Sequence, residues 1–316
     1  MKPKRLFVLG FIVAGVLGGC GSTKASDHSG EDGVKFRINT EVHKDESKWE
    51  LATDPYRGYD TWDLYDHAKD LLISHCMHSK GLDYAVRMDL DAPRPEDRPL
   101  NNGAHIFNVE IAKKYGYRLA PNPQDKLAAE IKVAGGDQYG NRDQNFQDNW
   151  RRCIDKAANQ LKDPKSERDA KKSVDEIQTD PNDPSHQLNM LSLNYDQIPA
   201  LQKSAEKWHT CMEILGIPDL PRYPWKTGQM LPEALLARLP DWTTPSGEAS
   251  VEEIKIATQD AECRDSSKWT HNLYEAEWDL HKKFVDQHKS ELRPLIEQYE
   301  TDAKKLVVII RQLEKQ

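Results

Sequence analysis

DTWDLYDHAKDLLISHCMHSKG (residues 60–81) and DQIPALQKSAEKWHTCMEILG (residues 196–216) share one frame. Each ends in Cys-Met, three further residues and a glycine. In the first, Trp62, Tyr65, Leu72, Cys76 and Met77 suggest a helical stripe. Asp60 or Thr61 can cap its start, and Gly81 can stop it in the left-handed conformation. In the second, Asp196 or Gln197 is placed to cap, Pro199 fits the first turn and Gly216 ends the helix. A proline-rich loop follows each frame: DLDAPRPEDRPLNNG at 89–103 and PDLPRYPWKTG at 218–228. Each half then carries one more cysteine on a later helix.

Working outward, short helices are expected around 104–115 and 124–133. A loop VAGGDQYGNRDQN follows at 133–145, and then a helix over 145–161 carrying Trp150 and Cys153. Asp-Pro at 163–164, 180–181 and 183–184 punctuates a polar stretch. A short helix covers 231–239. From Ser250 the pattern is helical almost to the end. There Leu273, Leu280, Phe284, His288, Leu292, Leu295, Tyr299, Leu306, Ile310 and Leu313 recur at three, four or seven. Pro294 would kink that helix if it is continuous. Clear period-two strands are missing, and the β-branched run LVVII at 306–310 lies inside helical periodicity. The expected fold is mainly α: duplicated, disulfide-stapled helical units with a long amphipathic C-terminal helix or helical hairpin.

The N-terminus reads MKPKRLFVLGFIVAGVLGGC. Lys2, Lys4 and Arg5 precede an apolar run over 6–17 that is too short to be a stable transmembrane anchor. The ending Leu17-Gly18-Gly19-Cys20 resembles the lipobox of bacterial lipoproteins. That resemblance implies cleavage before Cys20 and lipidation of its thiol, with enough acyl chain to hold the protein on a membrane. Removing Lys2, Lys4 and Arg5 leaves 41 of the 44 basic residues against 52 acidic ones, a formal charge of −11. No long basic run survives, which argues against a nucleic-acid partner. The membrane, reached through the lipid, is the expected partner, with an envelope protein or cell-wall component beside it.

Leu, Ile, Val and Phe make up roughly 19% of the chain from Cys20 onward, close to the range of disordered sequences. Small cores are therefore expected, in two units rather than one. The organisation reads as a signal peptide at 1–19, lipidated Cys20 and a flexible tether over 20–59, a first helical unit over 60–162, a polar segment over 163–193 holding a charged helix and then a linker, and a second helical unit with the long C-terminal helix over 194–316. Four cysteines remain after Cys20 in an exported chain, and three pairings are open. The repeated frame selects Cys76–Cys153 and Cys211–Cys263, one staple per half, each contributing up to about 4 kcal/mol. Trp150 and Trp208 sit three residues before Cys153 and Cys211, and are expected to cover the two disulfides.

The arrangement resembles an uncharacterised group of actinobacterial secreted lipoproteins. The shared elements are the lipobox, Cys-Met-x-x-x-Gly at 76–81, Ala-x-x-Tyr-Gly-Tyr at 112–117, Trp-x-x-Cys-Met at 208–212 and Ala-x-x-Asp-x-x-Cys at 257–263. The resemblance implies an extracytoplasmic location and supports the cysteine pairing, but implies no activity.

Several chemistries match the sequence only in part. Ser204-x-x-Lys207 and Lys226-Thr227-Gly228 match motifs of penicillin-binding enzymes, but lie far too close together. Ser204 is expected on an exposed helix face. His75, Cys76, Met77 and His78, with His67, resemble a soft-metal set, but Cys76 is committed to a disulfide. Asp137, Asn141 and Asp143 miss the EF-hand spacing. No catalytic residue, metal site or cofactor is assigned. The expected function is a non-catalytic cell-envelope lipoprotein presenting helical surfaces to a partner; the C-terminal helix is the best docking candidate, while the simpler reading of its stripe is that it packs on the protein's own body. The alternatives are an extracytoplasmic enzyme acting on cell-wall material and the solute-binding lipoprotein of a transporter.

Overall fold

The computed structural model describes residues 43–100, 103–124, 142–161, 184–239 and 248–315. Cys20, the signal peptide, Asp137, Asn141 and most of the 163–193 linker lie outside the described residues. Those that are described form α-helices and short 3-10 turns, with isolated bridges Asp45–Glu50 and Pro99–His105 in place of strands. The helices are α1 (Tyr59–His78), α2 (Val109–Tyr115), α3 (Gln144–Leu161), α4 (Pro184–Asn189), α5 (Pro199–Met212), α6 (Glu233–Arg238), α7 (Val251–Ser266) and α8 (Trp269–Leu313). The mainly α reading therefore holds.

The two frames end as their glycines require, by different routes. After α1, the amide of Leu82 donates to the Met77 carbonyl at 3.1 Å and that of Gly81 to the His78 carbonyl at 2.9 Å. With Gly81 at φ +71, this is a Schellman stop, and Leu82 packs beside Met77 as that motif favours. After α5 the chain tightens into a 3-10 turn over Glu213–Leu215 before Gly216 at φ +59. Both methionines are fully buried. The helix starts differ from expectation. Gly58, at φ +67, precedes α1, so Asp60 and Thr61 lie inside its first turn. Ile198 precedes α5, while Asn194 caps the 3-10 turn Tyr195–Gln197 in front of it. Pro199 does hold the first position.

The disulfides join Cys76 to Cys153, tying α1 to α3, and Cys211 to Cys263, tying α5 to α7. Trp208 is fully buried in the cluster that holds Cys211, Cys263 and Met212. Trp150 is half-buried in the cluster of Cys76, Cys153 and Met77.

Each staple closes within one half of the sequence, yet some cores cross the halves. Ala112 and Tyr117 pack with Ile217, Leu235, Ile256 and Ala257 in one core. Leu64, Ala68 and Leu71 of α1 pack with Ala303, Leu306 and Ile310 at the far end of α8 in another. Other cores stay within one half, around Cys153 in the first and around Trp208 in the second, so shared and separate cores stand side by side. The stripe expected on α1 is corrected. Trp62 is exposed, and the buried positions are Leu64, Ala68, Leu71, Ile73 and Met77, because α1 is covered by α8 on one side and α3 on another.

α8 is one kinked helix of 45 residues rather than a hairpin. Its backbone leaves helical geometry at His288 (φ −113, ψ 18), ahead of Pro294. Proline gives no N–H to the preceding turn and crowds its carbonyls, so the distortion falls on that side. The apolar stripe is spent internally: Phe284, Leu292, Leu306 and Ile310 are buried, and Leu273, Leu280, Leu295 and Tyr299 half-buried. The stripe packs on the protein's own body, the simpler of its two readings, and Val308 is the large apolar side chain that α8 leaves exposed. No described helix is long and apolar enough to cross a membrane.

Candidate functional site

Where α7 turns into α8, Lys268 adopts a left-handed backbone (φ +61) and directs the start of α8 into a cleft of about 830 Å³. Residues 104–110, 224–227 and 46–49 supply the other walls. The loop that carries Lys226-Thr227-Gly228 is clamped to His105. The amide of His105 donates to the Thr227 carbonyl at 3.0 Å, and the Thr227 hydroxyl donates to the His105 carbonyl at 2.6 Å. Gly228, at φ +80, lies against the imidazole, where a Cβ would stand 2.1 Å from its Cδ2. Nδ1 of His105 meets the backbone carbonyl of Asp97 at 2.9 Å and its carboxylate at 3.2 Å. Lys-Thr-Gly is thus a loop clamp here, and no strand carries it.

Beneath the cleft lies a buried charge hub. Asp260 on α7 is fully buried and accepts four hydrogen bonds: from the Trp208 indole (2.7 Å), the Tyr117 hydroxyl (3.2 Å), and Nε and Nη2 of Arg264 (2.8 and 3.0 Å). Four donors are about what an ionised carboxylate can use, which is how a buried charge becomes tolerable. Burial, with Asp260 beside it, pushes the Tyr117 hydroxyl well above its usual pKa, so Tyr117 stays a donor. Arg264 sits between two rings, 5.1 Å from Phe107 and 5.2 Å from Trp225, in cation–π geometry. Phe107 stacks on Tyr117, which touches Trp225, which meets Trp208 edge-on. The floor of the cleft is therefore fixed from several directions.

Three weak sequence elements meet at this hub. Ala112 of the 112–117 element packs with Ala257 of the 257–263 element; both are fully buried, letting α2 lie close on α7. Gly116 leaves room for Glu253, whose carboxylate accepts from the Tyr117 amide (3.0 Å) and from Arg118 Nε (3.1 Å). Tyr117 and Trp208 then converge on Asp260. Sequence reading gives Trp208 the role of a disulfide cover, includes Asp260 only as the acidic position of the 257–263 element without a role, and does not reach Arg264 or Phe107. The available signal was Asp260 and Arg264 at i, i+4, one turn before and directly after a cysteine.

A counterpart lies beside the other disulfide. Asp70 on α1 is buried and accepts from the Tyr84 hydroxyl (2.7 Å), and from the amide and Nη2 of Arg87. Burial and the Asp70 hydrogen bond raise the Tyr84 pKa. A shallower recess of about 470 Å³ opens there, lined by Arg87, Met88 and Trp150 among others.

The other residues weighed from sequence do different work. Ser204 is buried, not exposed, and accepts from Asn272 Nδ2 at 2.6 Å. Its face of α5 is covered by the start of α8, which periodicity on α5 alone does not reveal. His67 pairs with the Met88 carbonyl, and His78 lies near the Tyr84 amide and Asp83. No cluster of three or more metal-ligating side chains occurs among the described residues. Asp143 caps α3 through the Phe146 amide at 2.8 Å.

Comparison with protein-family models, curated proteins and solved structures returned no match for this chain.

Proposed function

We propose that the protein is a non-catalytic, lipid-anchored binding module on the outer face of the cytoplasmic membrane, and that its ligand or partner segment is held in the cleft at the α7–α8 turn. The observation that carries this reading is the cleft itself: about 830 Å³, walled by Phe107, Trp225 and Trp269, over a floor locked by Asp260 and Arg264. Several aromatic rings among aliphatic and polar wall residues suit recognition of a small molecule or chain segment. Three of the polar groups are held by partners: His105 by Asp97, His271 by Glu46 at 2.7 Å, and Arg264, along one edge, by Asp260. Ser47 at the rim donates to Asp45. That supports holding over covalent chemistry. The location rests on the lipobox-like ending at Cys20, and two disulfides suit an oxidising space.

The test is purification of the mature protein from its own detergent-solubilised membranes, followed by native mass spectrometry. A parallel preparation carries Asn108→Trp, which puts an indole at the cleft mouth from an exposed position, and Asn108→Ala beside it accounts for the α2 cap that Asn108 makes to the Ile111 amide. A bound species present on the native protein and lost from N108W supports the reading. Identical spectra and co-purifying partners for both proteins sink it. Retention in the membrane pellet should disappear with Cys20→Ala.

A further inference from the structure

We propose that the group recognised at the floor of this cleft is a compact anion, a carboxylate or a phosphate, borne on a flat apolar body. This rests on the reading of the cleft as the binding site. Two independent features point to it. The first is Arg264. Its side chain is 8% exposed, and Nε and Nη2 are committed to Asp260. Nη1, on the opposite edge of the guanidinium, has no hydrogen bond to any described residue, and Arg264 lines the cleft. Phe107 and Trp225 pack against the guanidinium, and the paired bonds to Asp260 fix its plane. A guanidinium fixed by a carboxylate on one edge presents the other to an oxyanion already oriented.

The second feature is the start of α8. Lys268 precedes it with no side-chain cap, and the amides of Trp269, Thr270 and His271 meet no acceptor among the described residues. All three residues line the same cleft. The first turn of a long helix offers open N–H groups and the positive end of its dipole, a ready anion site when a cation stands beside it. The left-handed backbone at Lys268 is what aims this turn inward. Lys268 itself is exposed on the rim. Of the acidic residues in the lining, Glu46 is spent on His271, while Glu110 and Asp265 are exposed. The attraction is therefore local to the Arg264 corner rather than a charge on the whole cleft. The aromatic walls would take the flat body.

The experiment titrates the mature protein with 1-anilinonaphthalene-8-sulfonate and with its uncharged twin N-phenyl-1-naphthylamine, at low and high salt. Lys268→Asn keeps a residue that tolerates the left-handed backbone and removes the charge; N108W puts an indole at the mouth and serves as the control for binding elsewhere. The anionic probe should bind about tenfold more tightly than its twin, the scale of one charge-assisted hydrogen bond. K268N should weaken it several-fold and leave the twin unchanged, and N108W should abolish both. Displacement by benzoate or by phenyl phosphate then separates carboxylate from phosphate. Equal binding of the two probes, insensitive to salt and to K268N, would overturn the anion and leave the cleft reading standing. Binding of neither probe, or equal binding to wild type and N108W, would overturn the cleft reading itself. An unchanged thermal midpoint for K268N keeps misfolding from mimicking the expected loss.

Discussion

The indole of Trp208 donates to the carboxylate of Asp260 at 2.7 Å, joining α5 to α7 one turn away from the Cys211–Cys263 bridge that joins the same two helices. A covalent tie and a charged hydrogen bond thus fix one helix pair. Asp260 also restrains Arg264, and through it the aromatic walls of the cleft. The first half has a looser counterpart, in which Asp70 accepts from Tyr84 and Arg87 rather than from the tryptophan beside its disulfide. There the tryptophan, Trp150, is on the helix bearing the second cysteine and the buried aspartate, Asp70, is on the Cys-Met helix. In the second half the two positions are exchanged.

Asp260→Asn should be among the most damaging single changes in the protein. It would leave the Arg264 charge buried without its partner, and removing one member of a buried pair costs about 3–5 kcal/mol. Trp208→Phe keeps most of the packing and removes one donor, so about 1–3 kcal/mol is expected. Urea unfolding followed by circular dichroism checks the order. Equal stability for D260N and wild type would mean that the hub is not holding the charge.

Replacing Cys76 and Cys153, or Cys211 and Cys263, with alanine should lower stability by up to about 4 kcal/mol per pair, since the closed loops span 77 and 52 residues. The second pair should also perturb the cleft, because Cys263 adjoins Arg264. Thermal midpoints report the first effect, and near-ultraviolet circular dichroism of the packed aromatic rings in the native state reports the second.

The cysteine pairing and the helical class were legible because each follows from spacing along one strand of sequence. Cys-Met-x-x-x-Gly recurs, and α8 shows its period over many turns. What was not legible came from contacts between distant segments. Ser204 reads as surface on α5 until α8 crosses it, and the α8 stripe does not by itself tell that α1 covers it. Asp260 looked like one carboxylate among many, since nothing local tells that Tyr117 and Trp208 arrive on it from 143 and 52 residues away. The start of α1 was misplaced because Gly58 makes the turn there without a side-chain cap.

Gly228→Ala should be far worse than Gly81→Ala or Gly216→Ala, although all three glycines have positive φ. At 81 and 216 an added Cβ meets nothing within 4 Å, so only the backbone cost remains, about 1–2 kcal/mol. At 228 the Cβ would strike the His105 ring and force the 224–227 wall away from residues 104–110. A larger loss of stability together with a change in near-ultraviolet circular dichroism is expected for G228A alone. Similar behaviour of the three variants would contradict the clamp.

Stability should fall with acid in a window set by His281. Its ring is buried on α8, with Nδ1 2.6 Å from the Thr53 hydroxyl, and burial, with the Arg57 charge nearby, lowers its pKa to about 4 from the usual 6.5. The unfolded chain therefore binds a proton near pH 6.5 that the folded chain refuses until about pH 4. Between those values the unfolded state holds more protons, so stability rises with pH. The contribution is fully present above pH 6.5 and lost by about pH 4, and 2.5 pH units correspond to about 3 kcal/mol. Carboxylates titrate at the lower end of this range, so wild type alone is not diagnostic. His281→Gln supplies a neutral side chain that can still pair with Thr53, and should flatten the slope between pH 6.5 and 5 while leaving the steeper fall below it. Urea midpoints across that interval measure the difference. Parallel curves for the two proteins would show that His281 takes up its proton in the folded state as readily as in the unfolded one.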